Sequence, residues 1–283
     1  MTLFLPQPSG PNRFASDQMP AVELSAYLTI GILSGLLAGL FGVGGGVVIV
    51  PALILIFTRM DIGGDWIPHL AVGTSLATII GTGAASTRAH HRRGGVRWDL
   101  VARLAPGILL GTWAGAGLVA IIPEWWLKRL FAGFLVVVSL RMLIRSAPQR
   151  SAPLPGTGRL WAVGGGIGML SALVGIGGGT MTVPFLNRHG LEMRQAVGTS
   201  AAVGLPIAIA GAIGLILAGW GRGGLPAFST GFVYWPAVGV MLLASMPAAP
   251  LGARLAHALP VDLLKRLFGL LLLAVALRLA FSD

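Results

Sequence analysis

A chain of 283 residues that is 55% hydrophobic, only 10% charged and of mean hydropathy +0.83 is not a soluble domain, for which about 25% charged residues is ordinary. A net charge of +11 could suggest nucleic acid. In so apolar a chain the lysines and arginines are better read as cytoplasmic loops held against anionic lipid. Zero cysteines exclude disulfides and thiol chemistry.

In chain order, residues 1–20 form a mixed polar tail without the apolar core of a cleaved signal. Apolar stretches follow at 24–41, 71–87, 101–122, 127–144, 160–175, 196–219, 233–253 and 264–281, each near the ~20 residues that cross hydrocarbon. The composition predicts an all-α integral membrane protein. The acidic residues fall in the tails or between these runs, Asp99 and Glu192 being near apolar segments, so no proton relay of carboxylates is apparent. Most tryptophans (66, 98, 125, 126, 161, 220, 235) stand near segment ends, as an interfacial belt does; Trp113 is the exception.

Within the first run, Gly31, Gly35 and Gly39 have the four-residue spacing of close helix packing, as do Gly111 and Gly115. Directly after it comes FGVGGGVVIVP at 41–51. The same pattern returns as VGIGGGTMTVP at 174–184, an offset of 133 with six of eleven positions identical. AVGTS at 71–75 recurs at 196–200, and LKRLF at 127–131 recurs at 264–268. Trp98 and Trp235 share the offset of the last pair. Three landmarks in the same order mark a duplication: a tail at 1–20, one repeat at 21–146, a proline-rich cytoplasmic linker at 147–159, and a second repeat at 160–283.

Each repeat reads as five segments, a glycine-broken helix pair and three plain transmembrane helices. An inverted arrangement places fourteen of the twenty basic residues inside, among them Arg88, Arg92, Arg93, Arg97, Arg103, Arg188, Arg194, Arg254, Lys265 and Arg266; a parallel arrangement sets the two halves' basic loops in conflict. The broken pair either crosses or dips in and returns. The stretch from Gly177 to Asn187 favours the dip, since its eleven residues make only ~16 Å of helix.

Inversion brings the two glycine tips together near the midplane, each starting a helix, at Val47 and at Thr180. The first amides of a helix lack internal partners and carry partial positive charge. Two opposed N-termini thus make an anion site without a buried cation, the construction of secondary transporters with broken helices. The expected site is Gly44, Gly45, Gly46 and Val47 from one tip and Gly177, Gly178, Gly179 and Thr180 from the other. The hydroxyls of Thr74, Ser75, Thr199 and Ser200 either complete it or serve as helix-to-helix bonds. The bland alternative for the glycines is packing. A phosphate loop fits less well, because the lysine and hydroxyl of that motif are missing. On the same reading valine at Gly45 or Gly178 removes ligand binding and leaves the fold intact. Pro51 and Pro184 are expected to kink the short helices.

The pairing of GxGGG…VP with AVGTS, present in both halves over about 24–281, resembles the TauE/SafE family of sulfite and organosulfonate exporters. That resemblance implies export of a small sulfur oxyanion or organosulfonate across the inner membrane, with the lipid bilayer as the other partner and no cofactor, metal or nucleic acid. An anion channel shares the duplication and the glycine breaks. An intramembrane hydrolase is disfavoured, since His69, His90, His91, His189 and His257 all lie near segment ends, where none activates a serine at membrane depth.

Overall fold

The computed structural model describes residues 21–42, 44–143 and 153–255, with 269–270, 272–274 and 276–277. The tail, most of the linker and the second LKRLF, with Lys265 and Arg266, lie outside the described residues. Nine helices follow in order among those described: α1 Ala21–Phe41, α2 Gly46–Met60, α3 Ile67–His91, α4 Trp98–Val119, α5 Glu124–Leu143, α6 Thr157–Val174, α7 Gly179–Arg188, α8 Met193–Ala218 and α9 Trp235–Leu255. Five helical stretches, Ala21–Phe41, Gly64–His91, Trp98–Ile121, Met193–Ala218 and Trp235–Leu255, are long and apolar enough to cross a membrane. The chain is a helical, multi-pass membrane protein. A two-stranded antiparallel turn, β1 Ser229–Thr230 with β2 Val233–Tyr234, leads into α9.

The packing exchanges helices between the two halves of the chain. α1 lies along α9, and its three spaced glycines make that possible. A Cβ on Gly31 would stand 2.7 Å from the Met241 carbonyl oxygen, one on Gly35 2.8 Å from Ser245 Cα, and one on Gly39 would fall on the Ala249 carbonyl. Residue numbers rise together along the contact, so α1 and α9 run parallel. α4 lies along α6 in the same way: Cβ atoms on Gly107 and Gly111 would land on the carbonyls of Trp161 and Gly165, and one on Gly115 would meet that of Met169 at 2.5 Å. Close approach of this kind replaces the hydrophobic drive that lipid does not supply.

α3 and α8 form the centre. Leu76 packs on Gly211, and Leu205 on Gly83, so the numbers run in opposite senses and the two helices are antiparallel. α3 also carries a polar stripe at four-residue spacing, Thr74, Thr78, Thr82, Ser86 and His90, all buried. The stripe ties α3 to its neighbours. Ser86 Oγ donates to the Ala38 carbonyl (3.1 Å), His90 Nε2 to that of Gly39 (3.0 Å), and Thr82 shares a hydrogen bond with Ser245 (2.7 Å).

α2 turns back beside α1. Gly42 abuts Val197 in the first turns of α8, whereas Phe57, near the end of α2, meets Tyr234 edge-on just before α9. α2 therefore leads toward the end of the bundle at which α1, parallel to α9, begins. Pro51 and Pro184 sit inside α2 and α7. One expectation about charge is revised. Glu23 lies within α1 and is only 8% exposed, beside the buried Tyr27 and Tyr234, because the helix begins three residues before the uncharged run that the sequence suggests. Trp113 is in mid-α4 and 46% exposed, on an outer face of the bundle.

Candidate functional site: the meeting of two glycine tips

α2 and α7 begin alike. Gly45 (φ 82°, ψ −11°) and Gly178 (φ 75°, ψ −9°) cap them in the left-handed region, where a side chain is strained and glycine is not. The helices begin at Gly46 and Gly179, one residue ahead of the expected starts and still at the offset of 133. The first internal bonds run from the amides of Val48 and Ile49 to the Gly45 carbonyl (3.0 and 3.2 Å) and from those of Met181 and Thr182 to the Gly178 carbonyl (3.2 and 2.9 Å). The amides of Gly46 and Val47, and of Gly179 and Thr180, precede these and have no intrahelical partner.

The tips touch, backbone to backbone. A Cβ on Gly44 would stand 3.3 Å from Gly177 Cα; one on Gly46 would fall on the Gly175 carbonyl and 2.9 Å from Ile176 Cα. Ile79, halfway along α3, packs on Gly44 and Gly46. Gly204, near the middle of α8, packs on Gly177. The contact is therefore at mid-depth of the two central helices.

The four AVGTS hydroxyls form two matched pairs of bonds between the halves of the chain. Thr74 Oγ1 accepts the amide of Tyr234 (3.0 Å), and Thr199 Oγ1 that of Arg97 (3.0 Å). Ser75 Oγ donates to the Gly175 carbonyl (2.8 Å), and Ser200 Oγ to that of Gly42 (3.2 Å). All four residues are 0% exposed. The threonines hold the starts of α9 and α4. The serines hold the carbonyls that end α6 and α1, so their protons are engaged on the tips themselves, and of the two roles the sequence left open, helix-to-helix bonding is the one the hydrogen bonds display. Gly44 and Gly46 thus lie against the Gly175–Gly177 turn and Gly45 against Ser34 of α1, whereas Gly178, the cap that leads into Gly179 and Thr180, faces α6 and α8; Val47 is buried in the first turn of α2.

One residue at the tips carries no repeat signal. Ser171, in the last turn of α6, is 0% exposed, and its Oγ would be 3.4 Å from a Cβ on Gly178. Neither Ser171 Oγ nor Thr180 Oγ1 has a hydrogen-bond partner. Among the described residues no lysine or arginine is buried, so the positive potential at the tips comes from amides. No group of three or more histidine, aspartate or glutamate side chains suited to a metal occurs among them.

Residues 27–279 match the family described as sulfite exporter TauE/SafE, and the chain belongs to that family. Three relatives agree along most of their length. The chain is 37% identical over 254 residues to a probable membrane transporter protein of Haemophilus influenzae, covering 89% of this chain and 96% of that one. It is 28% identical to the Bacillus subtilis probable membrane transporter protein YdhB (84% and 92%) and 28% identical to one of Methanocaldococcus jannaschii (82% and 86%). No solved structure matches the chain. By family, the chain is a membrane transporter.

Proposed function

We propose that this protein is a secondary transporter that exports small anions, sulfite or an organosulfonate, across the inner membrane through a site where the N-termini of α2 and α7 converge at mid-depth. The observation that carries this reading is the backbone contact of the two tips halfway along α3 and α8, with the first amides of α2 and α7, which have no partner within their own helices, beside it. Irregular backbone at membrane depth is tolerated where it is enclosed by protein or lines a cavity, and helix N-termini favour anions without the cost of a bare cation. The sulfur oxyanion comes from the family description. In this reading the two halves are inverted repeats. It is supported by α3 and α8, equivalent in the duplication, running antiparallel, and by the exchange of partners, α1 with α9 and α6 with α4.

A thermal melt of purified protein tests the binding. Saturating sulfite or methanesulfonate at ~100 times Kd adds ~2.7 kcal/mol to the folded state and is expected to raise the Tm by several degrees, while chloride at equal ionic strength does not. A Tm indifferent to every anion defeats the site. Orientation has its own test. The ends of α3, α7 and α9 and the starts of α4, α6 and α8 share one end of the bundle and carry Arg92, Arg93, Arg97, Arg159, Arg188, Arg194 and Arg254, so that end faces the cytoplasm. Arg93→Cys is expected to react with an impermeant thiol reagent only from the cytoplasmic side and Arg222→Cys only from the other. Labelling of both from one side contradicts the inverted arrangement.

A further inference from the structure

The two tips are not equivalent as ligand sites. At the repeat offset Thr180 stands where the first tip has Val47, and Ser171 stands where α1 has Ala38. A serine or threonine within a helix ordinarily satisfies itself on a carbonyl three or four residues back, as Ser34, Thr78 and Thr182 do here. Ser171 and Thr180 do not, nor do Thr87 and Thr112 elsewhere in the bundle: their hydroxyl oxygens are buried and without a partner. A buried hydroxyl left in that state costs free energy that a ligand oxygen recovers. The place of Ser171 and Thr180 is telling. Ser171 Oγ lies beside Gly178, the cap of α7, and Thr180 is in the first turn, so both hydroxyls belong to the helix start whose first amides, those of Gly179 and Thr180, have no intrahelical partner. The walls are apolar, Ile167 and Ile207 both packing on Gly178. At the first tip Val47 is buried, and Ile79 and the Gly175–Ile176 backbone close on Gly46.

We propose that the anion is held by the second tip alone: the oxygens of a small oxyanion take the amides of Gly179 and Thr180 and the hydroxyls of Ser171 and Thr180, while the start of α2 is a structural buttress. This rests on the transport-site reading above and assigns its donors. Four neutral donors with no cation suit a monoanion whose charge is spread over several oxygens, such as a sulfonate or hydrogen sulfite. Isolation from water by the isoleucines strengthens each of those bonds.

The test uses full-length protein in detergent, with methanesulfonate and sulfite as probes and isothermal titration as the readout. Ser171→Ala and Thr180→Val are each expected to weaken binding about ten- to hundredfold, the range for a hydrogen bond to a charged group. Thr180→Ser keeps the hydroxyl and is expected to stay near the unmodified affinity, which separates donation from packing. Ser34→Ala, at the first tip, is expected to change affinity less than about twofold, since Ser34 bonds only its own helix. Ligand-free melts report folding, and Thr180→Val, a near match in volume, carries the test if Ser171→Ala does not fold. Unchanged affinity in folded Thr180→Val overturns the one-sided site and leaves the transporter reading standing. Absence of saturable binding by the unmodified protein overturns the transporter site, and this assignment with it.

Discussion

Gly45→Val is expected to leave little folded protein in the membrane. The left-handed φ of 82° puts a β-branched residue in a region that costs about 1–3 kcal/mol, and the new Cβ would stand 2.7 Å from the Ser34 carbonyl oxygen in a packed interior, which adds about 1–3 kcal/mol. Gly178→Val meets the same strain, at φ 75°, and a Cβ there would lie 2.5 Å from Ile207 Cδ1. The sequence alone suggests that valine at either place spares the fold and blocks only the ligand; the capping geometry reverses that. Membrane-extracted yield and monodispersity on size exclusion measure the effect, and a stable, monodisperse Gly45→Val would show that the cap is not left-handed.

The second large effect is expected from the serines. Ser75→Ala leaves the Gly175 carbonyl without its donor, and Ser200→Ala does the same to Gly42; a buried acceptor left unpaired costs about 1–3 kcal/mol. The two carbonyls belong to tips that touch, so the losses are expected not to add: once one tip is loosened, the other loses part of its support. Thermal melts of the two single variants and the double variant form the cycle. Strict additivity would mean that the tips are held independently.

The residues that could be read directly from the sequence are those whose role is local or repeated. The glycine clusters announced two helix starts at one offset, and those starts came within one residue, because a glycine run followed by an apolar run has few other uses. Gly31, Gly35 and Gly39 announced a close neighbour through their spacing. They did not announce that the neighbour is α9, since nothing local in α1 encodes a partner two hundred residues away. AVGTS was ambiguous for a related reason: the same hydroxyl serves a ligand or a carbonyl, and only the position of Gly175 and Tyr234 decides which. Ser171 stayed hidden because comparing the two halves favours what they share, and Ala38 occupies its counterpart. Glu23 was misplaced because a helix does not stop where its hydropathy falls.

The exchange of helices between halves bears on how the protein is made. The glycine face of α1 is closed by Met241, Ser245 and Ala249, about 210 residues downstream. At ~5–20 residues per second of synthesis, α1 waits roughly 10–40 s for the helix that covers it. Through that interval its narrow face is bare to lipid or to the insertion machinery, and the tip at Gly42–Gly46 lacks the Gly175–Gly177 turn it rests on. A ribosome stalled in the middle of the chain therefore releases no half-size domain that stands by itself. The nascent chain reaches its final form only when α9 enters, which makes the late end of translation the step at which quality control has something definite to inspect.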